Sequence, residues 1–206
     1  MRPNTGPRPC SAAEAVTRAL SLVGRGGCYV LGTGDWIGPP SKSQTVAPIL
    51  LGADLPWTYR DGKLGSDCAG FAISWCYQLK RHRPGYNRGS WATVSDDLNC
   101  NSAIEDAEHG RELFELVTGP IQPGDLLCYP TFRAGVLLRR FIGHVGIVTG
   151  VARWDGRLAS LDVAQCCGPN GRSPAVLATD GSVWDRHDAK WPAHPKRQTR
   201  VLRAIP

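Results

Sequence analysis

The chain has 206 residues, of which 42% are hydrophobic and 20% charged, so a largely disordered polymer is excluded and one domain with a real core is expected. Gly 24 and Pro 16 together approach a fifth of the chain, a density of turn residues that argues against an all-helical bundle. Lys+Arg 24 against Asp+Glu 18 gives +6, which favours an anionic partner without choosing among nucleic acid, anionic lipid and anionic polymer.

Pro3, Pro7 and Pro9 make residues 1–10 a loose arm, and 11–206 reads as a single domain. The first residues lack the apolar core of a secretory signal, and no apolar run is long enough to span a membrane. The expectation is a protein made in the cytoplasm without a classical signal peptide. Ser11 with Glu14 is a capping box, and Val16, Leu20 and Val23 follow at helical spacing, so a helix is expected over 12–23. Cys28-Tyr29-Val30-Leu31 is a short apolar piece that stops at Gly32 and Gly34. Residues 35–66 carry Pro39, Pro40, Pro48 and Pro56 without any period, and read as a long functional insertion loop holding Trp36 and Trp57.

Residues 66–79 read as a buried helix capped by Ser66 or Asp67. Cys68, Phe71, Ala72, Trp75, Cys76 and Leu79 share its apolar face. Ser102 with Glu105 suggests a second capping box, opening a helical stretch that Gly110 breaks. After residue 120 the pattern turns to strands: 126–129 after the Pro123-Gly124-Asp125 turn, then an alternating run over 143–150. Asp155-Gly156 signals a hairpin, with 157–166 returning, and 175–179, 182–184 and 199–205 are further short strands. Helices first and an antiparallel sheet second give an α+β layout. A basic extension follows from about 185 to 206, with Arg186, Lys190, Lys196, Arg197, Arg200 and Arg203 interleaved with Trp191. No nucleic-acid motif accompanies it, so no nucleic-acid partner is expected.

The eight cysteines form no CxxC pair, so no metal site is expected and most read as small buried apolar residues. Cys166 and Cys167 are vicinal, which reads first as two residues of a sheet edge. Cys68 alone has a physical reason for a depressed pKa, because it stands at the first turn of a helix. A thiolate nucleophile needs a base. Of five histidines, His144 is the one that starts an apolar strand beside glycines, where a substrate could approach.

Asp67-Cys68-Ala69-Gly70-Phe71, Pro123-Gly124-Asp125-Leu126 and Gly143-His144-Val145-Gly146-Ile147-Val148, in that order, resemble the NlpC-type family of cell-wall cysteine peptidases. These have papain-like folds, and the CHAP amidases are their relatives. The resemblance covers roughly 11–168 and implies N-terminal helices packed on an antiparallel sheet. It implies Cys68 as nucleophile, His144 as general base and acid, and a third polar group that orients the imidazole. Gln165 fits that third position, with Asp162 as rival; strand alternation puts the two on opposite faces. Tyr29 would help bind the oxyanion or line the groove, and Asp67 would recognise a free amine on the stem peptide or simply cap the helix. Ala69 departs from the family's usual serine, and the loop between His144 and Gln165 is longer than usual.

The implied function is a peptidoglycan endopeptidase without cofactor, cutting an amide in the stem peptide between γ-D-glutamyl and the diamino acid. The alternatives are an N-acetylmuramoyl-alanine-type amidase, or a papain-like acyltransferase or deamidase acting on a protein or lipid. With no leader in view, a phage lysis enzyme or a secreted antibacterial effector with an immunity partner fits, acting in the periplasm or on the wall of a target or host cell.

Overall fold

The computed structural model describes residues 8–25, 28–29, 58–60, 63–79, 98–110, 112–135, 139–151, 154–168 and 174–206. Residues 1–7 of the expected arm over 1–10, the segment 31–57 with Trp36 and Trp57, and the expected helix end at Arg83-Pro84-Gly85 lie outside the described residues, whereas the end of that arm is tied down: Pro9 is buried and the Cys10 N–H donates to the Tyr77 carbonyl at 3.1 Å.

Helix α1 (Ala12–Leu22) forms from its own sequence. The Ser11 hydroxyl accepts the Glu14 N–H, and the Glu14 carboxylate accepts the Ser11 N–H at 3.0 Å, closing the capping box. The helix ends at Gly24, whose φ of +71° is left-handed and whose N–H donates to the Val176 carbonyl. Strand β1 (Cys28–Tyr29) runs parallel to β3 (Lys63–Ser66), which pairs antiparallel with β2 (Thr58–Arg60). The expected loop over 35–66 therefore closes in two short strands, and these carry the chain directly to Cys68.

A helical segment over 68–77 follows, with a π-helical centre at Gly70–Trp75, and every residue of that centre is buried. Helix α2 (Cys100–Glu105) is next. Its cap is Asn99, three residues earlier than expected: the Asn99 side chain accepts the Ser102 N–H and the Ser102 hydroxyl accepts the Asn99 N–H. Ser102 thus fills the third helical position of the box, because Asn is as good a cap as Ser and stands one turn upstream. The π-helical turn Asp106–Gly110 ends this stretch. The Asp106 carboxylate collects three N–H groups, from Glu112, Leu113 and Phe114.

The strands of the main sheet begin before residue 120, with β4 (Phe114–Leu116). Then come β5 (Leu126–Tyr129), the hairpin of β6 (Phe132–Ala134) and β7 (Arg139–Phe141), β8 (His144–Gly150), β9 (Asp162–Cys166) and β10 (Val176–Asp180). Between β8 and β9 the chain makes a 3-10 turn at Leu158–Ser160, so the return strand starts at Asp162 rather than 157. Helix α3 (Ser182–Ala189) and β11 (Arg200–Ala204) complete the chain. The expected strand over 182–184 is thus the first turn of α3. Three residues are too few to separate a period of 2 from one of 3.6, and the Asp180 carboxylate takes the Ser182 N–H at the helix start.

Six strands form one antiparallel sheet in the order β10-β9-β8-β5-β11-β4, so the layout is α+β. One core joins Ala15, Ala19 and Leu22 of α1 and Phe71 and Ile73 of the π-helical segment to Val145 and Ile147 of β8. A second, smaller core holds Leu127, Val148, Leu161 and Val163 around Trp184 of α3. Both faces of the central strands are covered, which is why 126–128 are apolar without alternation. Two motif glycines are steric requirements. A Cβ at Gly124 (φ +100°) would come within 2.5 Å of the Ala12 Cβ, and one at Gly146 within 2.7 Å of the Trp184 ring. Asp125 of the same turn is buried and forks onto the Arg203 guanidinium at 2.7 and 2.8 Å, tying the turn to β11.

Candidate active site

Cys68 is positioned by local chemistry. The Asp67 Oδ1 accepts the Gly70 N–H at 2.7 Å, and the Asp67 carbonyl accepts the Phe71 N–H, so Asp67 is the helix cap and Cys68 the first helical residue. Asp67 is only 2% exposed. Tyr29 stands opposite Ser66 in the parallel β1–β3 pair, which brings it near Cys68 from more than thirty residues upstream.

His144 is positioned by long-range pairing. It is the first residue of β8, opposite Tyr129 of β5, and its ring stacks on Trp184 at 5.3 Å between centroids. Gln165 lies opposite Gly146 in the β8–β9 register, so it is the diagonal neighbour of His144 on one face. Its Oε1 lies 2.7 Å from His144 Nε2. Its amide nitrogen donates to the Thr179 hydroxyl at 2.6 Å, and that hydroxyl donates onward to the Asp180 carbonyl. This chain fixes the proton positions. Thr179 spends its hydrogen on Asp180, so it accepts from Gln165. The Gln165 carbonyl then faces His144, and Nε2 must carry a proton to donate to it. That leaves Nδ1 as the lone-pair nitrogen of the ring, and Cys68 is close enough to His144 for each to move the other's pKa. Asp162, the rival, is exposed and lies against Gly150 at the far end of the strand.

The electrostatics correct one expectation. Cys68 at a helix start was expected to have a depressed pKa. A hydrogen bond with the Cys100 thiol and then burial instead push it well above the ordinary cysteine value, against the downward pull of His144. Burial lowers the His144 pKa, but the Cys68 sulfur and then Gln165 outweigh it, and the net shift is upward. Cys68 is therefore held as a neutral thiol with the His144 imidazole beside it. Burial, with Cys68 and Asp67 adding to it, raises the Tyr29 pKa, so its hydroxyl stays protonated and can donate.

Tyr29, His144 and Gln165 share a cavity of about 410 Å³ with Tyr129, Ile142 and Cys167. Cys68 does not line it; it meets the cavity through His144. No Asp, Glu, Lys or Arg is among the described lining residues. Cys166 and Cys167 diverge: the Cys166 thiol donates to the Ser66 carbonyl at 3.4 Å, whereas Cys167 reaches the cavity. Much of the basic extension is engaged within the fold. Arg200 pairs with Glu108, Arg203 with Asp125, and Arg197 lies over the Phe132 and Trp191 rings. Among the described residues, no group of His, Cys, Asp and Glu could hold a metal ion, and no helix is long and apolar enough to cross a membrane.

Sequence reasoning missed three residues here. Thr179 was only a strand residue, Trp184 was placed in the wrong element, and Tyr129 was only the end of an apolar run. For Thr179 the one signal was its place on a strand following Gln165.

The model of one protein family, the CHAP domain, matches residues 57–166, just over half of the 206, and spans Asp67, Cys68, His144 and Gln165 but not Tyr29. Comparison with curated proteins and with solved structures gives no significant match. A CHAP domain, related to the NlpC-type and papain-like enzymes, implies amidase or peptidase activity on peptidoglycan. The ordered motifs, the site they form and the family match agree: the chain belongs to the CHAP-domain family.

Proposed function

We propose that this protein is a papain-like thiol hydrolase that cuts an amide in peptidoglycan through Cys68, His144 and Gln165. The observation that carries the reading is the hydrogen-bonded series from Thr179 through Gln165 to His144, which leaves Nδ1 as the lone-pair nitrogen of the ring. Cys68 Sγ attacks the scissile carbonyl while its proton passes to Nδ1. The Cys68 N–H at the helix start and the Tyr29 hydroxyl donate to the developing oxyanion. The tetrahedral intermediate collapses to a thioester, and the amine leaves with the proton from His144. Water then attacks the thioester, His144 taking its proton, and the acid and the thiol are released. Gln165 holds the tautomer by a neutral hydrogen bond, as Asn does in papain-like triads.

The bond is in the stem peptide, between γ-D-glutamyl and the diamino acid. A specific observation favours a second reading, cleavage at the sugar–peptide junction. Asp67, the residue that would recognise a free amine, is buried with one oxygen spent on the Gly70 N–H, and the described cavity wall carries no charged side chain. The protein acts at the wall, in the periplasm or on the surface of a target or host cell, as a phage lysis enzyme or as a delivered effector with an immunity partner.

The test is digestion of purified sacculi by wild type and Cys68→Ala, with mass spectrometry of the released fragments. Wild type releases peptides whose new termini name the bond, and Cys68→Ala releases none. Intact sacculi with folded wild type would overturn the reading in favour of acyl transfer or deamidation on a protein or lipid.

A further inference from the structure

The hydrolytic reading gives Trp184 no task beyond filling a core, yet a core filler should not carry an unpaired donor. The indole is fully buried against Leu127, Val148, Leu161 and Val163, and its Nε1 has no hydrogen-bond partner among the described residues. Native interiors rarely keep such a group, because it loses water and receives no acceptor in exchange. Leu or Phe would occupy a core without a donor. What an indole offers beyond them is the strongest π face of any side chain. That face is turned to the site: its ring lies 5.3 Å from the His144 ring, centroid to centroid, with 29° between the planes. The fit is prepared from both sides. Gly146, two residues on from His144 and on the same face of β8, leaves the space that the indole takes. Helix α3 is anchored around it: the Asp185 carboxylate accepts the Leu158 and Ala159 N–H groups at 3.2 and 2.8 Å, and the Asp188 carboxylate accepts the Thr199 N–H at 2.8 Å.

We propose that Trp184 is a positioning residue that favours the imidazolium form of His144 by setting the face of its indole against the ring. The inference rests on His144 being the base of the proposed hydrolase. A neutral imidazole gains only dispersion from the indole, whereas an imidazolium is also drawn to the negative π face, within the ~6 Å over which that attraction acts. The difference appears when the proton leaves the Cys68 thiol for His144 and lasts until the proton passes to the leaving amine. In a Ser-His-Asp triad one carboxylate both orients the imidazole and stabilises its charge. Here the two tasks are divided: the neutral Gln165 amide holds the edge of the ring at Nε2, and Trp184 supports the charge from its face. The titratable groups described around His144 are Cys68 and Asp67, Tyr29 of β1, Tyr129 of β5 and Cys167 after β9, with His187 of α3 one ring further out, stacked on Tyr129. All of them are retained when residue 184 alone is changed.

The experiment follows His144 in the full chain by NMR against pH, with histidine rings labelled and the resonance assigned by its loss in His144→Asn. Trp184→Leu should lower the His144 pKa by about one unit, a tenfold loss of proton affinity, and Trp184→Phe, which keeps a weaker face, should lower it by less. A purely structural role predicts another result, because a gap that admitted water would favour the charged ring and raise the pKa. If Trp184→Leu does not fold, uniform replacement of tryptophan by 5-fluorotryptophan keeps the shape, weakens the face, and should lower the pKa by a smaller amount. A His144 pKa unmoved or raised in Trp184→Leu, an equal fall in the Leu and Phe variants, or no fall with fluorotryptophan overturns the proposal. The titration needs no substrate. Intact sacculi would therefore remove the hydrolase reading while the hold of the indole on His144 still stands or falls by the titration, and digested sacculi with an unmoved titration would sink this proposal alone.

Discussion

The two halves of the candidate site are built in opposite ways. The Cys68 half is local: Asp67 caps, Cys68 opens the helix, and the deciding hydrogen bond reaches Gly70, three residues on. The His144 half is distributed: His144, Gln165, Thr179 and Trp184 come from three strands and a helix, joined by cross-strand register and one stacked ring. The local half is a property of a short peptide that tertiary packing then buries. The distributed half exists only when β8, β9 and β10 pair in the correct register, since a slip of one residue would turn Gln165 to the other face. A substitution at the Asp67 cap should therefore cost stability before chemistry, and one in the second half chemistry before stability.

After loss of Cys68 itself, the largest expected effect breaks the distributed half. Gln165→Ala leaves the His144 tautomer and ring orientation unset, and misplacement of a catalytic group costs about 10²-fold in rate. We expect that loss in kcat with KM little changed, measured by fragment release from sacculi. Thr179→Val, one hydrogen bond further out, should lose less, and Thr179→Ser should restore it. Asp162→Ala, on the exposed end of the same strand, should behave as wild type. If Asp162→Ala lost activity and Gln165→Ala kept it, the assignment of the orienting residue would be reversed.

The same division explains what could be read in advance. The α1 capping box, the helix that carries Cys68 and the strands at Leu126–Tyr129 and His144–Gly150 are legible because each signal lies within one element. Thr179 was not legible, because its role depends on being diagonal to Gln165 across β9 and β10, and register is invisible in a single strand. Trp184 was misplaced for a related reason. Its neighbours suit strand or helix equally, and only the space left by Gly146 shows that the indole fills the floor under His144. The rise in the Cys68 pKa comes from Cys100, thirty-two positions away, whereas the helix start that argued for a fall is local.

The next effect sharpens the local half. Asp67→Ala removes a buried cap, and loss of a cap of this kind costs about 1–2 kcal/mol. Asp67→Asn keeps an acceptor for the Gly70 N–H and should recover most of that in denaturant unfolding. A cap role predicts that Asn and Asp have equal KM on sacculi. A raised KM for the Asn variant, at equal stability, would instead return Asp67 to amine recognition and favour the γ-D-glutamyl bond over the sugar–peptide junction.

The smallest effect lies at α1, whose box is as local as the Asp67 cap but exposed. Hydrogen bonds from the Ser11 side chain and backbone hold the Glu14 carboxyl below its usual pKa. A depressed carboxyl contributes stability that is present above its unfolded value, about 4.3, and is lost as pH falls through the folded one. Glu14→Gln keeps the box geometry without a titrating group. The difference in Tm between wild type and Glu14→Gln should therefore be constant near neutrality and shrink only below about pH 4. Asp155 and Asp180 are also held low, by local hydrogen bonds of their own, and they titrate identically in both proteins, so they cancel in that difference. A difference that shifted instead between pH 6 and 8 would point to a histidine and separate α1 from its capping box as the source of its acid sensitivity.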